Sequence, residues 1–233
     1  MLKKYILFFT TILLLNNCFA QEKVETEERK EKITDNVREI FNVLKSDGYT
    51  RQGLYQALYK RKTPVASGMY DHGKKIGLWR FFDPDGKILE TYNYTAGKMY
   101  YEAKEDTTSY IRYFVDKELD STDVVTKPIK IGGRYYGYLP YIRYFVIPSD
   151  FVFYSKDLFS AVVELLISPG GRLADYKVHL VAPGVDKAIN MNLNFPNEED
   201  KIFTPATLNG QPIASRIMIR CVIKGNDHID FDR

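Results

Sequence analysis

The sequence predicts an α+β protein: an N-terminal β-hairpin repeat platform, then a smaller domain of short helices packed on an antiparallel sheet. Three observations predict it. The 233 residues carry 18 Tyr and 14 Phe in short alternating stretches, with a single Trp, and such residues suit pleated, half-buried surfaces. Residues 53–98 repeat with an offset of 24. Two stretches, one within 33–44 and one within 185–193, set apolar side chains at helical spacing.

The N-terminus reads as a secretory signal peptide over residues 1–20. Lys3 and Lys4 precede eleven uncharged residues, 5–15, and the polar Gln21-Glu22-Lys23 follows Ala20, so cleavage is expected between Ala20 and Gln21. A retained membrane anchor is the weaker reading, because a span needs about 20 apolar residues. Lipid attachment at Cys18 is a minor alternative, since Asn17 stands where such sites have a small residue. Cleavage leaves Cys221 as the one cysteine, so the mature chain has no intrachain disulfide. The 33 basic and 30 acidic residues give +3, and the leader removes Lys3 and Lys4 but no acid, leaving +1. That balance gives no electrostatic case for nucleic acid or an anionic membrane surface.

Residues 21–47 open as a solvated charge run. Ile33, Val37, Ile40, Phe41 and Leu44 then fall at helical spacing ahead of Gly48, which predicts an amphipathic helix. In residues 48–98 the stretch beginning Gly53-Leu54-Tyr55 aligns with Gly77-Leu78-Trp79, and Met69-Tyr70 with Asn93-Tyr94. Aromatics alternate with polar residues, and Asp83-Pro84-Asp85-Gly86 and His72-Gly73-Lys74-Lys75 supply turns, so stacked hairpins can bury one aromatic ridge. This segment resembles the MORN-type repeats of YwqK-like antitoxin-annotated proteins. The residues that carry the likeness are Gly68, Tyr70, Gly73, Lys74, Lys75, Gly77, Trp79, Phe81, Phe82, Asp83, Asp85, Gly86 and Lys87.

Residues 99–127 form an acidic connecting segment. It contains the hexapeptide YIRYFV at 110–115, which recurs at 141–146. The flanks of the two copies share nothing, so the identity is a coincidence in a Tyr/Phe-rich chain. The first copy reads as a strand at the end of the repeat sheet, the second as part of a helix-plus-proline segment. Residues 159–167 are apolar at every odd position, Ser168-Pro169-Gly170-Gly171 is a turn, and residues 173–181 return as the partner strand. Val185, Ala188, Ile189 and Leu193 suggest a short helix. In residues 212–224 Ile213, Ile217, Ile219, Cys221 and Ile223 point one way and Arg216, Met218, Arg220 and Lys224 the other, the pattern of a strand buried on one face. Residues 225–233 are a tail.

Residues 128–224 resemble the C-terminal domain of TonB-family proteins. The likeness rests on Pro128 with Gly132-Gly133, Tyr141-Ile142 with Pro148, Pro169-Gly170-Gly171 between two strands, and Phe203-Thr204-Pro205-Ala206 running into Asn209-Gly210-Gln211-Pro212-Ile213. The resemblance implies a non-enzymatic protein-binding module in the periplasm, whose last strand offers an edge to an extended segment of a TonB-dependent outer-membrane receptor. Arg216, Met218 and Arg220 would then contact the partner; the alternative reading is that this strand lies inside the sheet and the two Arg are only solvated. The resemblance also admits a divergent energy transducer in transmembrane transport, which would need residues 1–20 to stay as an anchor or a partner that supplies one. The chain has no Pro-rich stalk; its 10 Pro are scattered.

No catalytic constellation is visible, and no cofactor, metal or small-molecule substrate is expected. His72, His179 and His228 are far apart, Cys221 has no His partner, and Asp83-Asp85-Gly86 lacks the downstream acid of a calcium loop. Neither Gly132-Gly133 nor Gly170-Gly171 leads into Lys-Ser/Thr, so no phosphate cradle is indicated. A secreted hydrolase finds no support in these residues.

Overall fold

A computed structural model describes residues 24–105, 109–149, 158–224 and 227–233. Ala20, Gln21 and Cys18 lie outside the described residues. The architecture corrects the α+β expectation: fifteen strands in three antiparallel sheets make up most of the structure, and the one α-helix among the described residues, α1, is Pro140–Arg143. No helix of the described residues is long and apolar enough to cross a membrane.

The first sheet is a meander of seven strands in chain order: β1 Thr26–Lys32, β2 Val37–Leu44, β3 Arg51–Tyr59, β4 Thr63–Asp71, β5 Lys74–Phe82, β6 Ile88–Asn93 and β7 Lys98–Glu102. The predicted helix over 33–44 is β2. Its inward set is Val37, Glu39, Phe41 and Val43, at period two. Glu39 breaks the apolar alternation in the sequence, so Ile40 and Leu44 on the other face completed a helical pattern instead. Arg51 of β3 makes the carboxylate tolerable there, bonding it at 3.0 Å.

The repeat of 24 is reproduced in three dimensions. Tyr55 and Tyr70 meet edge to face at 5.6 Å and 69°; Trp79 and Tyr94, one repeat later, meet at 5.6 Å and 67°. Arg51 donates to the Tyr70 hydroxyl at 3.4 Å, and Lys75 to the Tyr94 hydroxyl at the same distance. Gly53 and Gly77 both have positive φ, 81° and 59°. Trp79 lies flat against Gly68, where a Cβ would fall 2.2 Å from the indole.

The second sheet has the order β11-β10-β9-β14-β15, with β8 also paired to β14. Its strands are β8 Ile111–Val115, β9 Ser160–Ile167, β10 Leu173–Ala182, β11 Val185–Asn190, β14 Ser215–Ile223 and β15 Ile229–Phe231. The hairpin β9–β10 matches the alternation read from the sequence, with Ala161, Val163, Leu165 and Ile167 fully buried. The predicted helix over 185–193 is instead β11, joined to β10 through Pro183-Gly184. Ile213 belongs to a separate hairpin, β12 Ala206–Leu208 with β13 Gln211–Ile213, whose turn is Asn209-Gly210 at φ 51° and 80°. Two successive residues of positive φ are what a tight type I′ turn requires.

The two copies of YIRYFV adopt different structures. The first supplies β8, and the second contains most of α1. Instead of ending the repeat sheet, the first copy joins the second sheet, so residues 99–127 give β7 to one sheet and β8 to the other. The two sheets share one buried cluster. Residues 135–145 fill the space between them: the Tyr136 hydroxyl meets that of Tyr55 at 2.7 Å, its ring stacks on Phe81 at 5.6 Å, and Tyr141 packs on Tyr176 and Phe195.

Candidate functional site

The last strand is not an edge. Along β14, β9 pairs one side from Ser215 to Val222, while β8 covers Ser215–Ile219 and β15 covers Cys221–Ile223 on the other. The main-chain edge expected there is therefore occupied by the chain's own strands. Arg216, Met218 and Arg220 do turn to the outer face, as alternation requires. Arg216 is engaged within the molecule: its guanidinium bonds Asp116 at 2.9 Å and also Glu164. The bond from Arg216 holds the Asp116 carboxyl below its ordinary range. Glu164 meets His179 at 2.6 Å, so a row of charge crosses β14, β9 and β10. Arg220 is more exposed, with Asp232 at 3.9 Å.

Strand edges elsewhere differ sharply in how they are guarded. Every residue of β1 after Thr26 is charged. A bulge at Met99-Tyr100 interrupts β7, which also carries Lys98 and Glu102. On the far side of the second sheet β11 carries Asp186 and Lys187. Charge and bulging are the usual ways to discourage strand addition. By contrast β8 has no bulge, and its one charged residue, Arg112, folds its guanidinium back to the carbonyls of Ser109 and Ile111.

The alternation of hydrogen bonds shows which groups of β8 face outward. The Arg220 N–H donates to the Tyr110 carbonyl at 2.9 Å. In an antiparallel ladder the bonded pairs alternate, so Tyr110, Arg112 and Phe114 bond toward β14, and Ile111, Tyr113 and Val115 turn their N–H and C=O groups away from it. Those of Ile111 are met by the Ser109 hydroxyl and by Arg112. The outward main-chain groups of Tyr113 and Val115 have no partner among the described residues.

Beside this edge lies a groove of about 360 Å³ whose apolar lining is Tyr113, Phe114, Val115, Leu119, Val125 and Pro128. Phe114 is 53% exposed and Leu119 50%. The outer wall is anchored by Asn209: its side-chain carbonyl accepts from the Val124 N–H at 2.9 Å and its amide donates to Asp123 at 2.7 Å. Thr126 and Ile129 extend the anchoring through N–H bonds to Thr207 and Thr204, each at 2.9 Å. The Asn209-Gly210 motif thus shapes the groove from behind.

A cleft of about 400 Å³ lies between the first sheet and the segments 130–144 and 196–202, lined by Arg51, Tyr70, Lys75, Tyr94, Lys130 and Asp200 among others. Its principal cations are engaged. Arg51 holds Glu39, Lys75 bonds Glu199 at 2.6 Å, and Lys130 donates to the carbonyls of Glu199 and Ile202. Burial lowers Lys130 to about 8. The Gly132-Gly133 pair is an anion nest filled from within: both N–H groups donate to Glu90, at 3.0 Å each.

The other residues weighed on sequence grounds lie in separate places. His72 is exposed beside Asp71 at 2.8 Å, and His228 meets the Phe145 carbonyl at 3.2 Å. The Cys221 thiol is buried and pushed well above its ordinary range by that burial. No group of three or more His, Cys, Asp or Glu able to hold a metal occurs among the described residues. No family model matches the chain, and no curated protein or solved structure matches it either.

Proposed function

We propose that the chain is an exported, non-enzymatic protein-binding module that takes an extended segment of a cell-envelope partner by strand pairing at β8. The observation that carries this reading is the unpaired main-chain edge of Tyr113 and Val115 beside an apolar groove. An added strand gains main-chain hydrogen bonds for affinity, and a groove beside it gives the side chains something to select. Export rests on the leader-like residues 1–20, with Lys3 and Lys4 ahead of an uncharged run. The resemblance of residues 128–224 to TonB-family C-terminal domains supports an outer-membrane receptor as the partner class. The pairing strand is then β8, because β14 is enclosed.

The test is Val115→Pro. Proline removes the outward N–H of residue 115 and leaves the bonds toward β14, which come from residues 112 and 114. Capture of a TonB-dependent receptor from solubilised outer membranes should be lost in this variant while its melting temperature stays near that of the parent. Equal capture by parent and variant, or no capture by the parent, would overturn the reading.

A further inference from the structure

We propose that two copies of the chain pair through β8 about a two-fold axis at Phe114, so that self-association and partner binding exclude each other at the same edge. The second clause rests on the function proposed above; the first needs no partner.

The argument is one of register. An antiparallel pairing centred on Phe114 sets Tyr113 opposite Val115 of the second copy, and Val115 opposite Tyr113. Those are the two residues whose outward N–H and C=O groups are unpaired, and this register joins all of them in four hydrogen bonds. Centring on Tyr113 instead would call on the groups of Ile111, which Ser109 and Arg112 already meet.

Side chains on the outer face agree with this choice. Phe114, half exposed, would face its own copy at the closely spaced, non-bonded position of the ladder, where cross-strand rings meet most closely. Arg112 would stand opposite Asp116 of the second copy, twice, an opposite-charge pair in each case. Asp116 is half exposed, with its Arg216 bonds on its own sheet. On the groove side Leu119 and Val125, both exposed in the single chain, come next to the added strand. The arrangement is isologous, so it closes at two copies and does not propagate into a fibre.

Sedimentation of the mature chain over a range of concentrations, with no partner present, tests the pairing. A concentration-dependent dimer is expected, dispersed by Phe114→Asp and by Val115→Pro. The charge swap is the finer test. Arg112→Asp should weaken the dimer at least tenfold, and adding Asp116→Arg should restore much of that loss. A chain that stays monomeric at all concentrations overturns the proposal, as does a dimer that survives both Phe114→Asp and Val115→Pro. The exclusion clause is tested separately by receptor capture across the same concentrations, where capture that does not fall as dimer forms would overturn it while leaving the dimer intact.

Discussion

Glu90 of β6 accepts hydrogen bonds from the main-chain N–H groups of Gly132 and Gly133, one to each carboxylate oxygen, in a setting only 1% exposed. This contact joins the first sheet to the segment that opens the second half of the chain. Gly133 packs so closely that a Cβ there would sit 3.1 Å from that of Leu89.

The pairing predicts a pH dependence. Burial raises the Glu90 carboxyl from 4.5 to about 7, against the lowering effect of the two N–H bonds, with Glu102 raising it further and Lys127 lowering it. The folded state therefore binds more protons than the unfolded state between about pH 4.5 and 7, and stability contributed by this group falls as pH rises through that window. The span corresponds to about 3 kcal/mol. In Glu90→Gln this part of the slope should vanish. Its stability at pH 8 should stay close to the parent's, because relief of the buried charge is offset by one glycine N–H left without an acceptor, at about 1–3 kcal/mol. Denaturant melts at pH 5, 6, 7 and 8 check both; an unchanged slope in the variant would refute the assignment.

Gly68→Ala should destabilise the first sheet by about 1–3 kcal/mol, since the new methyl enters the space held by the Trp79 ring. Trp79 has no room to withdraw, being fully buried among Tyr55, Tyr70 and Tyr94. Its indole N–H is also held by the Met69 carbonyl at 3.2 Å. Trp79→Ala should cost about 3–5 kcal/mol. Thermal melts followed by tryptophan fluorescence for the first variant, and by circular dichroism for the second, read these values.

On β14 the two arginines should separate. Arg216→Ala breaks the bonds to Asp116 and Glu164 and should cost about 1 kcal/mol. Arg220→Ala removes a distant contact with Asp232, at 3.9 Å, and should change stability by less than about 0.5 kcal/mol. Ile217→Asp places a charge in the fully buried inner face and should unfold the chain. Chemical denaturation of the three variants orders them.

What the sequence shows of this fold divides by mechanism. The repeat was legible because its aromatics and glycines recur at one offset, and β9 and β10 because nothing interrupts their alternation. The outward set Arg216, Met218 and Arg220 followed from the same period. What failed was legibility where a polar residue is inward. Glu39 hid β2 behind a helical pattern, and its compensation by Arg51 is a tertiary fact. At β11 the Pro183-Gly184 turn signal was present and was outweighed by apolar spacing. The edge was illegible for another reason: whether β14 or β8 is exposed depends on which distant strand pairs beside it, and the same YIRYFV forms β8 in one place and α1 in another. The groove had one sequence signal, the exposed-looking apolar residues Leu119, Val124 and Val125 within an acidic stretch.

Glu39 and Arg51 should behave as a coupled pair. Glu39 is 6% exposed, and Arg51 bonds it while stacking over the Phe41 ring at 4.1 Å. Burial opposes the Arg51 charge, but Glu39 and the nearby tyrosines hold it on the guanidinium more firmly than usual. Removing the cation alone, in Arg51→Met, strands a carboxylate inside the sheet and should cost about 3–5 kcal/mol. Removing both charges, in Glu39→Leu with Arg51→Met, leaves apolar chains of similar length on a face already lined by Phe41 and Tyr55, and should be less damaging than Arg51→Met alone. A double-mutant cycle completed with Glu39→Leu measures the coupling. If the single changes add to the double within about 0.5 kcal/mol, the two residues act independently and β2 is held by its apolar residues.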